Sequence, residues 1–185
     1  MQASLSRQQK LRRLALDAVL IALFVVFSTV FSFKTPFFEV SLVGLPIILC
    51  ARLFGVKDAF VVALLGSFLE QLTSPYGLSL STLFWMLPTV TQALFASLCF
   101  FVMREEKNRT PVLLSIIILS ELVLTVVNTS MLYLDGYVMG YAVKALHLIA
   151  LPRTINSGVR MLLSCVLIPL LLPPIQRLLE MRKES

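Results

Sequence analysis

A chain of 185 residues that is 58% hydrophobic and 14% charged, with a mean hydropathy of +0.90, lacks the composition of a soluble domain, where about a quarter of residues carry charge. The formal net charge of +6 does not mark a nucleic-acid binder either, because the basic residues sit between apolar blocks. Cys50, Cys99 and Cys165 each stand alone in an apolar run and His147 has no second histidine nearby, so neither a metal site nor any other cofactor is expected.

The first apolar block, 14–33, is interrupted only by Asp17, Ser28, Thr29 and Ser32. That is close to the ~20 residues needed to cross a ~30 Å hydrocarbon core. It is too long for the apolar part of a signal peptide and no small-residue cleavage site follows, so a retained first span over about 12–33 is expected. The segment Lys34-Thr-Pro-Phe-Phe-Glu39 then turns the chain on the outer side. A second span over 40–54 contains Pro46 and ends at Gly55, and a third over 57–72 closes on Glu70-Gln71. Both are short for a full bilayer, which predicts either a cavity or a thinned structure on the outer face. Thr73 to Ser79 has the Pro/Gly/Ser chemistry of a turn.

The fourth span, 80–103, carries Pro88 and with it a predicted kink. Polar residues 104–110 lead to Pro111, placed to open the fifth span, 111–134. Residues 135–151 are partly apolar and too short to cross, and read as a structured lid or interfacial helix. The sixth span, 152–173, begins at Pro152 and is followed by a polar tail. The expected architecture is therefore an all-α membrane protein of six transmembrane helices in a single domain, without internal repeats.

The basic residues orient it. Arg7, Lys10, Arg12 and Arg13 precede the first span, Arg52 and Lys57 sit between the second and third, Arg104, Lys107 and Arg109 between the fourth and fifth, and Arg177, Arg182 and Lys183 follow the sixth. With six spans all of these lie on one side, leaving only Lys34, Lys144 and Arg153 on the other and Arg160 inside the last span. The positive-inside rule then places both termini in the cytoplasm of a multi-pass plasma-membrane protein.

Polar groups within a membrane are costly, so their placement carries the functional signal. They gather toward the outer half: Glu70 and Gln71, Gln92, Asn128 with Thr129, then Arg153, Asn156, Ser157 and Arg160. The last four follow i, i+3, i+4, i+7 spacing and share one helix face, which must meet protein or water. Phe37, Phe38, Tyr76, Trp85, Tyr133 and Tyr137 fall at the same level. One reading is an outward-facing pocket in which aromatic rings stack a planar ligand, Arg153 or Arg160 meets a carboxylate and Glu70 meets a donor edge. The plainer reading makes the aromatics a membrane-interface belt and Glu121–Arg160 a structural ion pair. In the first helix Ala18 and Ala22, with Ala15 before them, form a small-xxx-small face open to another helix, inside the chain or outside it.

No G-x4-GK[ST] phosphate loop, HExxH or GxSxG occurs, which disfavours ATP hydrolysis and intramembrane enzymology. Ala18-Val-Leu-Ile-Ala22, the short second and third spans with Leu-Pro-Ile and Ala-Arg-Leu-Phe-Gly55, and Asn128-Thr129 followed by Ala150-Leu-Pro-Arg153 together resemble the S components of energy-coupling factor (ECF) vitamin transporters, most like the folate-type branch. The resemblance implies a motorless, six-helix substrate-binding subunit of an ABC-type importer. By that likeness it captures a vitamin from outside, with the 34–39 loop closing over it. It docks through the Ala18/Ala22 face on a transmembrane coupling (T) subunit and tips over as two ATPase subunits cycle. Asn128 and Arg153 are the ligand contacts it implies. Folate-like, pantothenate-like and other vitamin-precursor substrates share this outline. The competing readings are a ligand-free membrane scaffold or regulator, and an autonomous secondary carrier able to sustain gradient-driven uptake alone.

Overall fold

The computed structural model describes residues 7–30, 33–34, 39–73, 78, 81–104, 106, 109–140 and 143–184. Six helices account for nearly all of it: α1 Arg7–Thr29, α2 Gly44–Leu53, α3 Val56–Thr73, α4 Ser81–Val102, α5 Thr110–Met139 and α6 Val143–Glu184. Between α1 and α2, Phe33 pairs with Val40 and Lys34 with Glu39 in a two-residue antiparallel ladder, β1 Phe33–Lys34 and β2 Glu39–Val40. The pairing brings the two ends of that segment together, and β2 lies against α6.

The bundle is organised around its shortest helix. In ten-residue α2 every residue from Gly44 to Arg52 is buried, so this element is apolar on all sides rather than along one stripe. It contacts α1, α3, α4 and α6, and Ile47, Ile48 and Cys50 anchor the core with Phe24, Val62, Ile116, Ile117 and Ile168. Gly55 closes α2 with φ +89°, a left-handed conformation that a Cβ disfavours, and lets α3 start immediately. α1 packs on α2 and α3. The Phe24 ring fits over Gly66 of α3, where a Cβ would lie 2.8 Å from the ring. Near its start, Arg13 pairs with Asp58 and donates from Nη2 to the Phe54 carbonyl at 2.8 Å, satisfying a terminal carbonyl of α2.

Three of the described helices are long and apolar enough to cross a membrane: Ser81–Val102, Thr110–Met139 and Pro152–Leu179 within α6. α2 is shorter and apolar, while α1 and α3 carry charged residues such as Arg12, Arg13, Asp17, Lys57, Asp58 and Glu70. Many large apolar side chains outside the core, among them Leu83, Leu98, Phe101, Val126, Leu162, Val166 and Leu170, are exposed, as expected of surfaces solvated by lipid.

The stretch 135–151 is not a separate element. α5 continues through Met139 and stops at Gly140, whose φ of +74° forms a left-handed cap with its N–H on the Gly136 carbonyl. α6 begins at Val143 and runs 42 residues, roughly 60 Å at 1.5 Å per residue, although Pro152, Pro169, Pro173 and Pro174 lie within it. Of the stretch read as a structured lid or interfacial helix, 135–139 continue α5 and 143–151 open α6. The second span is likewise shorter than expected at its start, because Glu39–Val40 joins the ladder before the helix can begin.

Candidate functional site

The inward faces of α4, α5 and α6 change character along their length. On α6, Ser164, Ile168 and Leu172 are buried in line below Arg153, Asn156, Ser157 and Arg160. On α5, Leu113, Ile116 and Ile117 give way to Glu121, Thr125 and Asn128. On α4, Phe100, Ala96 and Ala93 give way to Gln92, Thr89 and Trp85. The three polar stretches face one another beyond the start of α2 at Gly44.

A cavity of about 150 Å³ occupies that space. Ser41 and Val43 line it from the approach to α2, Glu70 and Gln71 from the end of α3, and Trp85, Pro88 and Thr89 from α4. Leu124, Thr125, Asn128 and Thr129 contribute from α5, and Arg153, Asn156, Ser157 and Arg160 from α6. The i, i+3, i+4, i+7 stripe of α6 thus faces the cavity as a unit. In its wall, the Arg153 guanidinium carbon lies 4.9 Å from the centre of the Trp85 ring, a cation–π pair that fixes the indole plane. Pro88 has no N–H to give the Phe84 carbonyl, so a backbone acceptor loses its helical donor at this wall. The hydroxyls of Thr125, Thr129 and Ser157 donate to backbone carbonyls of their own helices at 2.8, 2.8 and 2.7 Å, which leaves their lone pairs as acceptors.

Beneath the cavity lies a buried polar layer. Glu121, 1% exposed, accepts from Arg160 Nε at 2.7 Å on Oε2, and from Gln92 Nε2 at 3.2 Å and Ser164 Oγ at 3.3 Å on Oε1. Gly44 fits against the same carboxylate, where a Cβ would lie 2.6 Å from Oε1. The Glu121–Arg160 ion pair that the sequence suggested is therefore present, and Arg160 belongs both to the pair and to the cavity wall.

Of the residues singled out from the sequence, Glu70, Gln71, Trp85, Asn128, Arg153, Asn156 and Arg160 come together at this cavity. Gln92 is fully buried one layer below it. Tyr133 is not among the lining residues, and Tyr137 is 87% exposed. The helical period accounts for this: at about 100° per residue, Tyr137 points roughly 180° and Tyr133 roughly 140° away from Asn128. Phe37, Phe38 and Tyr76 lie outside the described residues. Ala18 and Ala22 are exposed on α1, away from the α2 and α3 contacts. Ser41, Val43, Pro88, Thr89, Leu124 and Thr125 join the lining without having been singled out as ligand contacts. Thr89 stands one turn from Trp85 and Thr125 one turn from Glu121, spacings that carried the signal.

The geometry is that of a membrane-embedded binding protein with a largely polar cavity, Trp85 its single aromatic among the described residues, at one end of a helical bundle. The family described as ECF transporter, substrate-specific component, matches residues 12–172, and the chain belongs to it. Among solved structures, one described as the crystal structure of FolT bound with folic acid has the same fold, with a TM-score of 0.65 at 23% identity, covering 84% of this chain and 89% of that one. No curated protein matches the chain.

Proposed function

We propose that the cavity between α3, α4, α5 and α6 holds a vitamin taken from outside the cell, and that the chain hands it inward in a complex whose coupling subunit and two ATPase subunits supply the energy. Membership of the substrate-specific component family makes the chain a transport subunit that binds a vitamin; the site geometry supports the finer reading. The observation that carries it is the Trp85–Arg153 pair, in which a guanidinium packs on an indole at 4.9 Å in the wall of a cavity whose other lining includes amides, hydroxyls, Glu70 and Arg160. Such a wall stacks a planar ring and hydrogen-bonds its edge.

A folate-like vitamin is the favoured substrate. About 150 Å³ admits roughly one aromatic ring, so the ring end of the vitamin would fill the cavity and the remainder would extend toward its mouth. The folic acid held by the structurally similar protein supports the same choice. Both termini lie in the cytoplasm of the plasma membrane in this reading, on the side bearing Arg7, Lys10, Arg12, Arg13, Arg104 and Arg109. The exposed Ala18/Ala22 face of α1 receives the coupling subunit.

The test is calorimetric titration of the purified chain in detergent with folic acid, pantothenate and a thiamin precursor, followed by mass spectrometry of any small molecule that co-purifies. Stoichiometric, tight binding of folic acid is expected. Binding of none of the three, together with no ATPase subunits in pull-downs, would remove the importer reading.

A further inference from the structure

We infer that Glu121 is a positioning residue for substrate recognition: it holds Arg160 by Nε alone, so that the paired terminal amino groups of that guanidinium are presented to the cavity floor for a substrate offering two adjacent acceptor atoms. The inference rests on the vitamin-binding reading above and deepens it.

An arginine has two edges that can take a bidentate partner, the side edge through Nε and the end edge through its two terminal nitrogens. Among the described residues Arg160 makes its hydrogen bond through Nε to Glu121 Oε2, at 2.7 Å, while the same residue lines the cavity. The side edge is thereby committed and the end edge is what the cavity receives. Glu121 cannot easily swing to release it. Its second oxygen is held by Gln92 and Ser164, and Gly44 presses against it so closely that one added carbon would collide. Helices α2, α4 and α6 each contribute one of these restraints on the α5 carboxylate, so the direction of the guanidinium is set by the packing of the bundle.

A pair of adjacent acceptors roughly 2–3 Å apart satisfies the end edge. A carboxylate provides it, and so does the oxo-nitrogen edge of a fused heterocycle, in the way that arginine reads the O6/N7 edge of guanine. Arg160 lies deeper on α6 than Arg153, so whichever group it takes enters first.

The experiment measures folic acid, 6-methylpterin (ring alone), 4-aminobenzoylglutamate (carboxylates alone) and pantothenate against the wild type, E121Q, R160M, the double variant E121Q/R160M and the apolar pair E121L/R160M. E121Q is expected to weaken folic acid at least tenfold, and E121Q/R160M to bind no worse than R160M, since Glu121 acts only through Arg160. Loss of 6-methylpterin in E121Q with 4-aminobenzoylglutamate unchanged assigns the ring edge to the floor; the reverse pattern assigns a carboxylate. The apolar pair leaves no unpaired buried charge and serves as the folding control. If it binds folic acid as the wild type does, or if E121Q keeps full affinity, the pair is structural cement and the inference is overturned. A wild type that ignores folic acid but binds pantothenate removes the folate assignment while E121Q against pantothenate still tests Glu121. A wild type that binds none of the probes defeats the vitamin reading and this inference with it.

Discussion

Replacing Gly66 by alanine tests whether α1 is seated on α3 through the Phe24 ring. A Cβ built there lies 2.8 Å from Phe24 Cγ and 2.9 Å from Cδ1, well inside ordinary contact, and the ring is fully buried. The crowded atoms belong to the root of the ring rather than to a flexible tip, so relief requires Phe24 to leave its rotamer or α1 to move outward. Overpacking of this kind costs about 1–3 kcal/mol. Alanine in a helix interior recovers roughly 0.5–1 kcal/mol relative to glycine, which leaves a net loss centred on about 1.25 kcal/mol and at most about 2.5 kcal/mol. For a chain of this length the central value lowers the unfolding midpoint by roughly 3–5 °C. Thermal unfolding in detergent, followed by helical circular dichroism, reads it directly. F24L should be destabilising alone through the cavity it leaves, yet the G66A/F24L double variant should lose less than the two single losses added together, by at least about 0.5 kcal/mol. Strict additivity, or a midpoint that rises in G66A, would refute the seating of α1 by this contact.

Three further outcomes are expected. W85A and R153Q should each weaken vitamin binding by tenfold or more, because each removes one half of a partly desolvated cation–π pair worth about 0.5–2 kcal/mol together with its own ligand contacts; since Trp85 is the single tryptophan of the chain, intrinsic emission in R153Q reports the site without a label. A18W and A22W should abolish uptake in cells carrying the complete transporter while binding to the purified chain stays intact, and lost binding would show instead that this face packs internally. Y137A should leave affinity within twofold of the wild type, as measured by calorimetry, because its ring stands 87% exposed on the far side of α5 from Asn128.

Much of this was legible in the residue pattern, and the exceptions have definite causes. The polar stripe 153/156/157/160 could be read because a 3.6-residue period admits only one face for those four side chains, and the cavity takes them all. Tyr133 and Tyr137 were grouped with Asn128 by height along the chain, whereas their angles around α5 turn them away. The limits of α5 and α6 escaped because Gly140 ends a helix by backbone conformation, without the break in hydropathy that a loop would show. Gly44 gave no local signal either, since its significance is the approach of Glu121 from a helix far along the chain. Glu121–Arg160 was visible as a pair of opposite charges in apolar helices, but the place of Gln92 beside it, and Ser164 altogether, needed the packing of α4 and α6 to be seen.

The layer formed by Gln92, Glu121, Arg160 and Ser164 also marks where water stops. Below it, Ile47, Ile48, Ile116, Ile117 and Ile168 close the interior with side chains at most 1% exposed. A solute resting on the Arg160 side meets, among the described residues, a close-packed apolar plug. In the importer reading proposed above, delivery therefore requires displacement of the bundle as a body or separation of its helices.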